Sequence, residues 1–124
     1  MDNDIIEARK SIQSALLEVS PRVYYENAPL TATYPYLVFI LPNSLYDGAN
    51  TGNLILEVDG WDKTQSSTAL ETLMYNVNAK LDRKTVNGSV VLIVYLDSKL
   101  SIPDDDASII RRKYNYQLKT IQRR

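Results

Sequence analysis

The sequence predicts an α+β fold: one mainly antiparallel sheet with two helices packed on a single face, in the order α-β-β-β-α-β-β. Three observations predict it. Apolar residues recur at helical spacing near the N-terminus and again at residues 70–81. Between and after these stripes, short strings alternate or run continuously apolar, as strands do. A long alternating string, Ile110 to Ile121, closes the chain.

The first helix is expected from Asp4 to Val19. Ile5, Ile12, Leu16 and Val19, with Ala8 and Ala15 between them, share one face, and Asp4 and Glu7 are spaced as a capping box. Pro21 ends it, because the residue before a proline is pushed out of the α region. A short strand follows at Arg22–Tyr25, then a turn-rich stretch to Pro35. Tyr36–Leu41 is apolar on both faces, which predicts a central strand covered on both sides.

From Pro42 to Asn53 two glycines and three asparagines work against a regular element, and the sequence offers Leu45 and Tyr46 no obvious local partner. A loop this long in a small domain is either a plain hairpin connection or a segment that orders against another chain. Asn53–Trp61 alternates, with Leu54, Leu56 and Val58 on one face and Ile55, Glu57, Asp59 and Trp61 on the other. Leu70, Leu73, Met74, Val77 and Leu81 form the stripe of a second helix, and Thr68 and Glu71 are spaced as a second capping box. Asn87-Gly88 between strand formers predicts a two-residue hairpin turn, with a minor strand before it and a strand Val90–Leu96 after it. A polar loop, Asp97–Ser108, then leads into the last strand.

The chain has 124 residues, a formal charge of −1, no cysteine and no histidine. The length fits one domain over residues 1–124, large enough for a core without staples. Lack of cysteine excludes disulfides, thiolate metal sites and thiol nucleophiles; lack of histidine excludes Ser-His-Asp chemistry and the commonest metal ligand. No run approaches the ~20 apolar residues of a membrane span, and the acidic start Met1-Asp-Asn-Asp is unlike a signal peptide. A soluble, intracellular domain is therefore expected.

Candidate chemistry is sparse. Asp104-Asp105-Asp106 is the densest acidic group, but adjacent side chains diverge and the alternate-oxygen spacing of a calcium loop is absent. Gly48 and Gly52 lack the spacing and the lysine of a phosphate loop. The expectation is a chain that is not an enzyme and has no metal or cofactor site.

Charge is more informative. Residues 109–124 carry six bases and no acid, a net +6, whereas residues 1–108 carry a net −7. Alternation places Arg111, Lys113 and Lys119 on one sheet face and Arg112 with the tyrosines. These cations either pair with Glu57 and Asp59 on neighbouring strands, or serve a phosphate backbone or a contact between identical subunits. A basic stretch in a weakly acidic protein favours subunit contacts over nucleic acid. Nine tyrosines against one phenylalanine point the same way, since tyrosine suits a surface that is buried in a partner yet soluble alone.

Several strings also appear in a suggestive order: Val23-Tyr-Tyr-Glu-Asn-Ala-Pro29, Tyr34-Pro-Tyr-Leu-Val-Phe39, Leu54-Ile-Leu-Glu-Val-Asp-Gly-Trp61, a Ser/Thr-led helix, and an Asp-rich loop before Arg111-Arg-Lys-Tyr-Asn-Tyr-Gln-Leu118. From Ile5 to Leu118 the chain resembles the small tail terminator or tail-completion (tail-to-head joining) proteins of long-tailed bacteriophages and prophages. The resemblance implies a structural virion protein at the head–tail interface, assembled in the bacterial cytoplasm. Such proteins close the tail tube as a hexameric ring, many from monomers in solution, and meet the tail tube protein and the head connector or stopper. It also implies a sheet with helices on one side and offers no catalytic motif. On this reading the loop residues Leu45, Tyr46, Asp47 and Asn50 order against a neighbouring subunit or the tube. Arg111, Lys113, Lys119, Arg123 and Arg124 are the proposed charged contacts; this basic C-terminus has no counterpart in that family and is assigned from charge alone.

Two other classes stand beside this reading. One is a ferredoxin-like nucleic-acid module using the basic last strand, with Tyr114 and Tyr116 as its aromatics. The other is a small hydrolase with two carboxylates in a deep pocket. A head-side connector or stopper is a further variant of the phage reading.

Overall fold

The computed structural model describes residues 2–42, 53–88 and 91–121. Helix α1 spans Asp2–Leu17 and buries Ala8, Ile12, Ala15 and Leu16, the face expected from their spacing. It starts at Asp2, so Asp4 lies within the first turn and cannot serve as the expected N-cap; Glu7 lies beside Lys10 instead, at 3.7 Å. Beyond Leu17 the chain tightens into one more turn, in which the Val19 and Ser20 N–H groups both donate to Leu16 O, before Pro21.

The strands are β1 (Val23–Tyr25), β2 (Tyr36–Ile40), β3 (Asn53–Lys63), β4 (Thr85–Val86), β5 (Val91–Ile102) and β6 (Ile109–Ile121), with helix α2 (Thr68–Leu81) between β3 and β4. They form one sheet in the order β1-β2-β3-β6-β5-β4. Only β1 and β2 run parallel, so the sheet is mixed but mainly antiparallel. Helix α1 touches both edge strands, β1 and β4, so the sheet curls around it.

One hydrophobic core fills the space between the helices and one sheet face. Leu37, Phe39, Leu56, Val58, Leu92, Val94, Tyr116 and Leu118 meet Ile12, Leu16, Leu70, Met74, Val77 and Leu81 there. Gly60 lets α2 approach the sheet: a Cβ added there would stand 2.6 Å from Met74 Sδ and 2.9 Å from Leu70 Cδ1. Tyr116 reaches through the core so that its hydroxyl donates to Asn78 Oδ1 at 3.0 Å.

Several expectations are corrected. Strand β2 is interior, but only Leu37 and Phe39 are fully buried; Tyr36, Val38 and Ile40 are half-buried. The capping box at α2 does not form, because Glu71 turns to Arg112 (3.2 Å) and Ser66 Oγ accepts the Thr68 N–H instead. Asn87-Gly88 does not close a two-residue turn. Val86 pairs with Leu92, leaving five residues between them, and Ser89 and Val90 lie outside the described residues. That register is held by the link after α2, where the Arg83 N–H donates to Val94 O and the Val94 N–H to Lys84 O. Strand β5 continues to Ile102 rather than stopping at Leu96. A bulge between Leu96 and Ser98 absorbs Asp97 and lets the polar residues keep pairing with β6.

Candidate interaction surface on the helix-free sheet face

Alternation along the strands sends a second set of side chains to the face away from both helices. The strand registers arrange them in rows. Tyr36 lies opposite Trp61, Trp61 opposite Arg111, and Arg111 opposite Ile102. In the next row Tyr24, Val38, Asp59, Lys113 and Leu100 follow one another across the sheet.

The first row is a stack of planar groups. Tyr36 and Trp61 are nearly parallel (14°) with centroids 6.3 Å apart, and the Arg111 guanidinium lies 4.5 Å from the Trp61 ring centre. Tyr34 packs on Tyr36 at 5.3 Å, and Tyr24 meets it edge-on at 6.0 Å. Burial in this cluster, helped by Tyr34, raises the Tyr36 phenol above its ordinary pKa.

Ion pairs centre on Asp59 and Lys113 of the second row. Arg111 Nε donates to Asp59 Oδ1 at 3.0 Å, and Lys113 Nζ donates to Glu57 Oε1 at 2.9 Å while standing 3.9 Å from Asp59 Oδ2. Asp59 is only 7% exposed although no helix covers it; the stacked Trp61 and Arg111 stand beside it in the neighbouring row. Beyond the ions, Asn115 Nδ2 donates to Ser98 Oγ at 3.0 Å while its Oδ1 is buried without a partner. Tyr95 and Leu100 are about half exposed on this side.

The expected cations therefore divide. Arg111 and Lys113 share the open face and pair with Asp59 and Glu57, one of the alternatives the sequence left open. Lys119 is exposed farther along the same face, opposite Asn53 and Ile93. Leu45, Tyr46, Asp47, Asn50, Arg123 and Arg124 lie outside the described residues. Arg112 faces the helices and pairs with Glu71.

Tyr114 and Tyr116, the aromatics the nucleic-acid reading needs, are 8% and 0% exposed beneath α2, which corrects that assignment. The aromatic stack that does face outward was not found in the sequence. Trp61 falls on the correct face by alternation, but its neighbour Tyr36 becomes visible only through the β2–β3 register.

The Asp-rich loop serves its own turn. Asp104 Oδ1 accepts the Asp106 N–H, and Asp106 Oδ1 accepts both the N–H and the hydroxyl of Ser108. Those two bonds from Ser108 lower the Asp106 pKa. Among the described residues no group of three or more acids is placed to hold a metal ion, and no helix is long and apolar enough to cross a membrane. No protein-family model matches the chain, and no curated protein matches it.

Proposed function

We propose that this chain is a structural virion protein that caps the head-proximal end of a phage tail tube as a ring and joins it to the head connector. The order and spacing of its strings supply the family reading, and the observed layout of one sheet with both helices on one face agrees with what that reading implies. The observation that carries the proposal is the helix-free face. It combines stacked Tyr36 and Trp61 with arginine, the residue types that anchor protein–protein contacts. Its central cations, Arg111 and Lys113, are already paired with Asp59 and Glu57, so these two offer little positive field to a phosphate backbone. Trp61 is flanked by Tyr36 and Arg111, which leaves it poorly placed to stack on a base.

The test is negative-stain electron microscopy of particles from the phage or prophage carrying this gene, with the gene disrupted. Filled heads separate from tails, or tails of uncontrolled length, are the expected result. Normal virions overturn the proposal.

A further inference from the structure

The sheet has two incompletely covered borders, and they are bare at the same end. On one border β4 pairs only with Leu92 and Ile93 of β5, and the link after α2 extends that cover to Val94. Asp82 Oδ1 then accepts the Leu96 N–H at 2.9 Å, beside the bulge. From Ser98 to Ile102, β5 pairs with β6 on one side and, among the described residues, with no strand on the other. This stretch has no proline, and Leu100 is 47% exposed. Lys99, the kind of residue that usually guards an edge, holds its ammonium 5.2 Å from the centre of the Tyr114 ring instead. At the other border β1 pairs with β2 and, among the described residues, with no strand on its outer side.

One cross-strand row joins these borders: Tyr24, Val38, Asp59, Lys113, Leu100. Strand directions follow from the pairings. β1 runs with β2, β3 against them, β6 with them again, and β5 against β6, so β1 and β5 are antiparallel. A second copy related by rotation about an axis along the strands therefore brings its β1 antiparallel to Ser98–Ile102. That is the favoured ladder geometry. A two-fold pairing of β5 with β5 would leave β1 bare, whereas head-to-tail pairing covers both borders with one contact.

We infer that copies of this chain join edge to edge, β1 of one subunit adding to Ser98–Ile102 of β5 in the next, so that the sheet runs on across a head-to-tail seam. This rests on the ring reading above and names the strands that build the ring. Tyr24 comes beside Leu100 on the open face, an aromatic–aliphatic cross-strand pair.

Amide hydrogen exchange on the unmodified chain, dilute and at high concentration, tests the seam. Exchange in Val23–Tyr25 and Ser98–Ile102 should slow together by about tenfold on concentration. Protection confined to Ser98–Ile102, or none at the highest soluble concentration, overturns the inference. Because the chain has no cysteine, the double variant Tyr24→Cys with Leu100→Cys gives an independent reading. Oxidation should give a ladder of multimers from the double variant and only monomer from each single variant. Dimers from Leu100→Cys alone would mean two-fold pairing of β5 and would also overturn it. A seam with normal gene-disrupted particles keeps the inference and removes the tail role. Separated heads and tails with unchanged Val23–Tyr25 exchange does the reverse.

Discussion

Strand β6 presents two surfaces that bury themselves by different means. Toward the helices, Tyr114, Tyr116 and Leu118 are excluded from water by a layer packed on top of them. Toward the open side, Arg111 and Lys113 have no such layer, yet the acid between them, Asp59, is 7% exposed, about the same as Tyr114 at 8%. The first face is closed by volume, the second by ion pairing and by stacking flat groups side by side. A side chain's burial therefore does not reveal which kind of face it occupies.

The largest difference is expected within one strand. Phe39 faces the helices and is fully buried, whereas Val38, the residue before it, is half-buried on the open face. Phe39→Ala should cost ~3–5 kcal/mol by the lost transfer energy and the cavity left behind, and Val38→Ala ~1 kcal/mol or less. Urea unfolding measures both. Equal losses would mean that the open face is packed like the core. Gly60→Ala should come next, at ~1–3 kcal/mol, because the new methyl meets two buried side chains of α2 and both must shift.

Alkaline pH probes the phenols of both faces. Burial, then the Tyr114 and Asp82 charges, drives the Tyr116 phenol far above its ordinary pKa; burial raises Tyr114, and raises Tyr36 on the open face. A folded pKa above the unfolded one means that the native state keeps a proton the unfolded chain gives up. The stabilisation is complete below the unfolded value, ~10, and is lost as pH climbs above it, at ~1.4 kcal/mol per pH unit for each proton retained. Urea midpoints should fall steeply above about pH 10, and Tyr116→Phe should flatten that fall more than Tyr36→Phe does. The reverse ranking would move the strongly shifted phenol to the open face.

How far the sequence showed these two faces depends on which interactions define each. The helix-side core was legible because it obeys local periodicity: Ile12 and Leu16 on α1, and Leu70, Met74, Val77 and Leu81 on α2, are each specified by spacing alone. The open face depends on which strand lies beside which. Trp61 is one residue among alternating ones until β2 sets Tyr36 beside it and β6 sets Arg111 on its other side. The same limit explains the misplaced end of β5. Ser98 and Lys99 look like loop residues by composition, and only their pairing with Asn115 and Tyr114 makes them strand. The capping box at α2 failed for a related reason: Glu71 has a better partner, Arg112, forty-one positions away.

The smallest effect tests the open face most directly. Arg111 and Asp59 form a pair whose side chains are 25% and 10% exposed, whereas Lys80 and Glu18, joining α2 to the end of α1, are 37% and 65% exposed. Exposed pairs contribute little because water screens them and ordering two long side chains costs entropy. A double-mutant cycle on Asp59→Ala and Arg111→Ala should give a coupling of ~1 kcal/mol, and one on Glu18→Ala and Lys80→Ala ~0.3 kcal/mol. Salt should erode the second coupling more than the first, since the first is shielded from counterions by the neighbouring Trp61 and Lys113 side chains. If the two couplings are equal and equally salt-sensitive, the ionic row is an ordinary wet surface. Asp59 would then owe its burial to crowding by Trp61 and Arg111 rather than to the charges it holds.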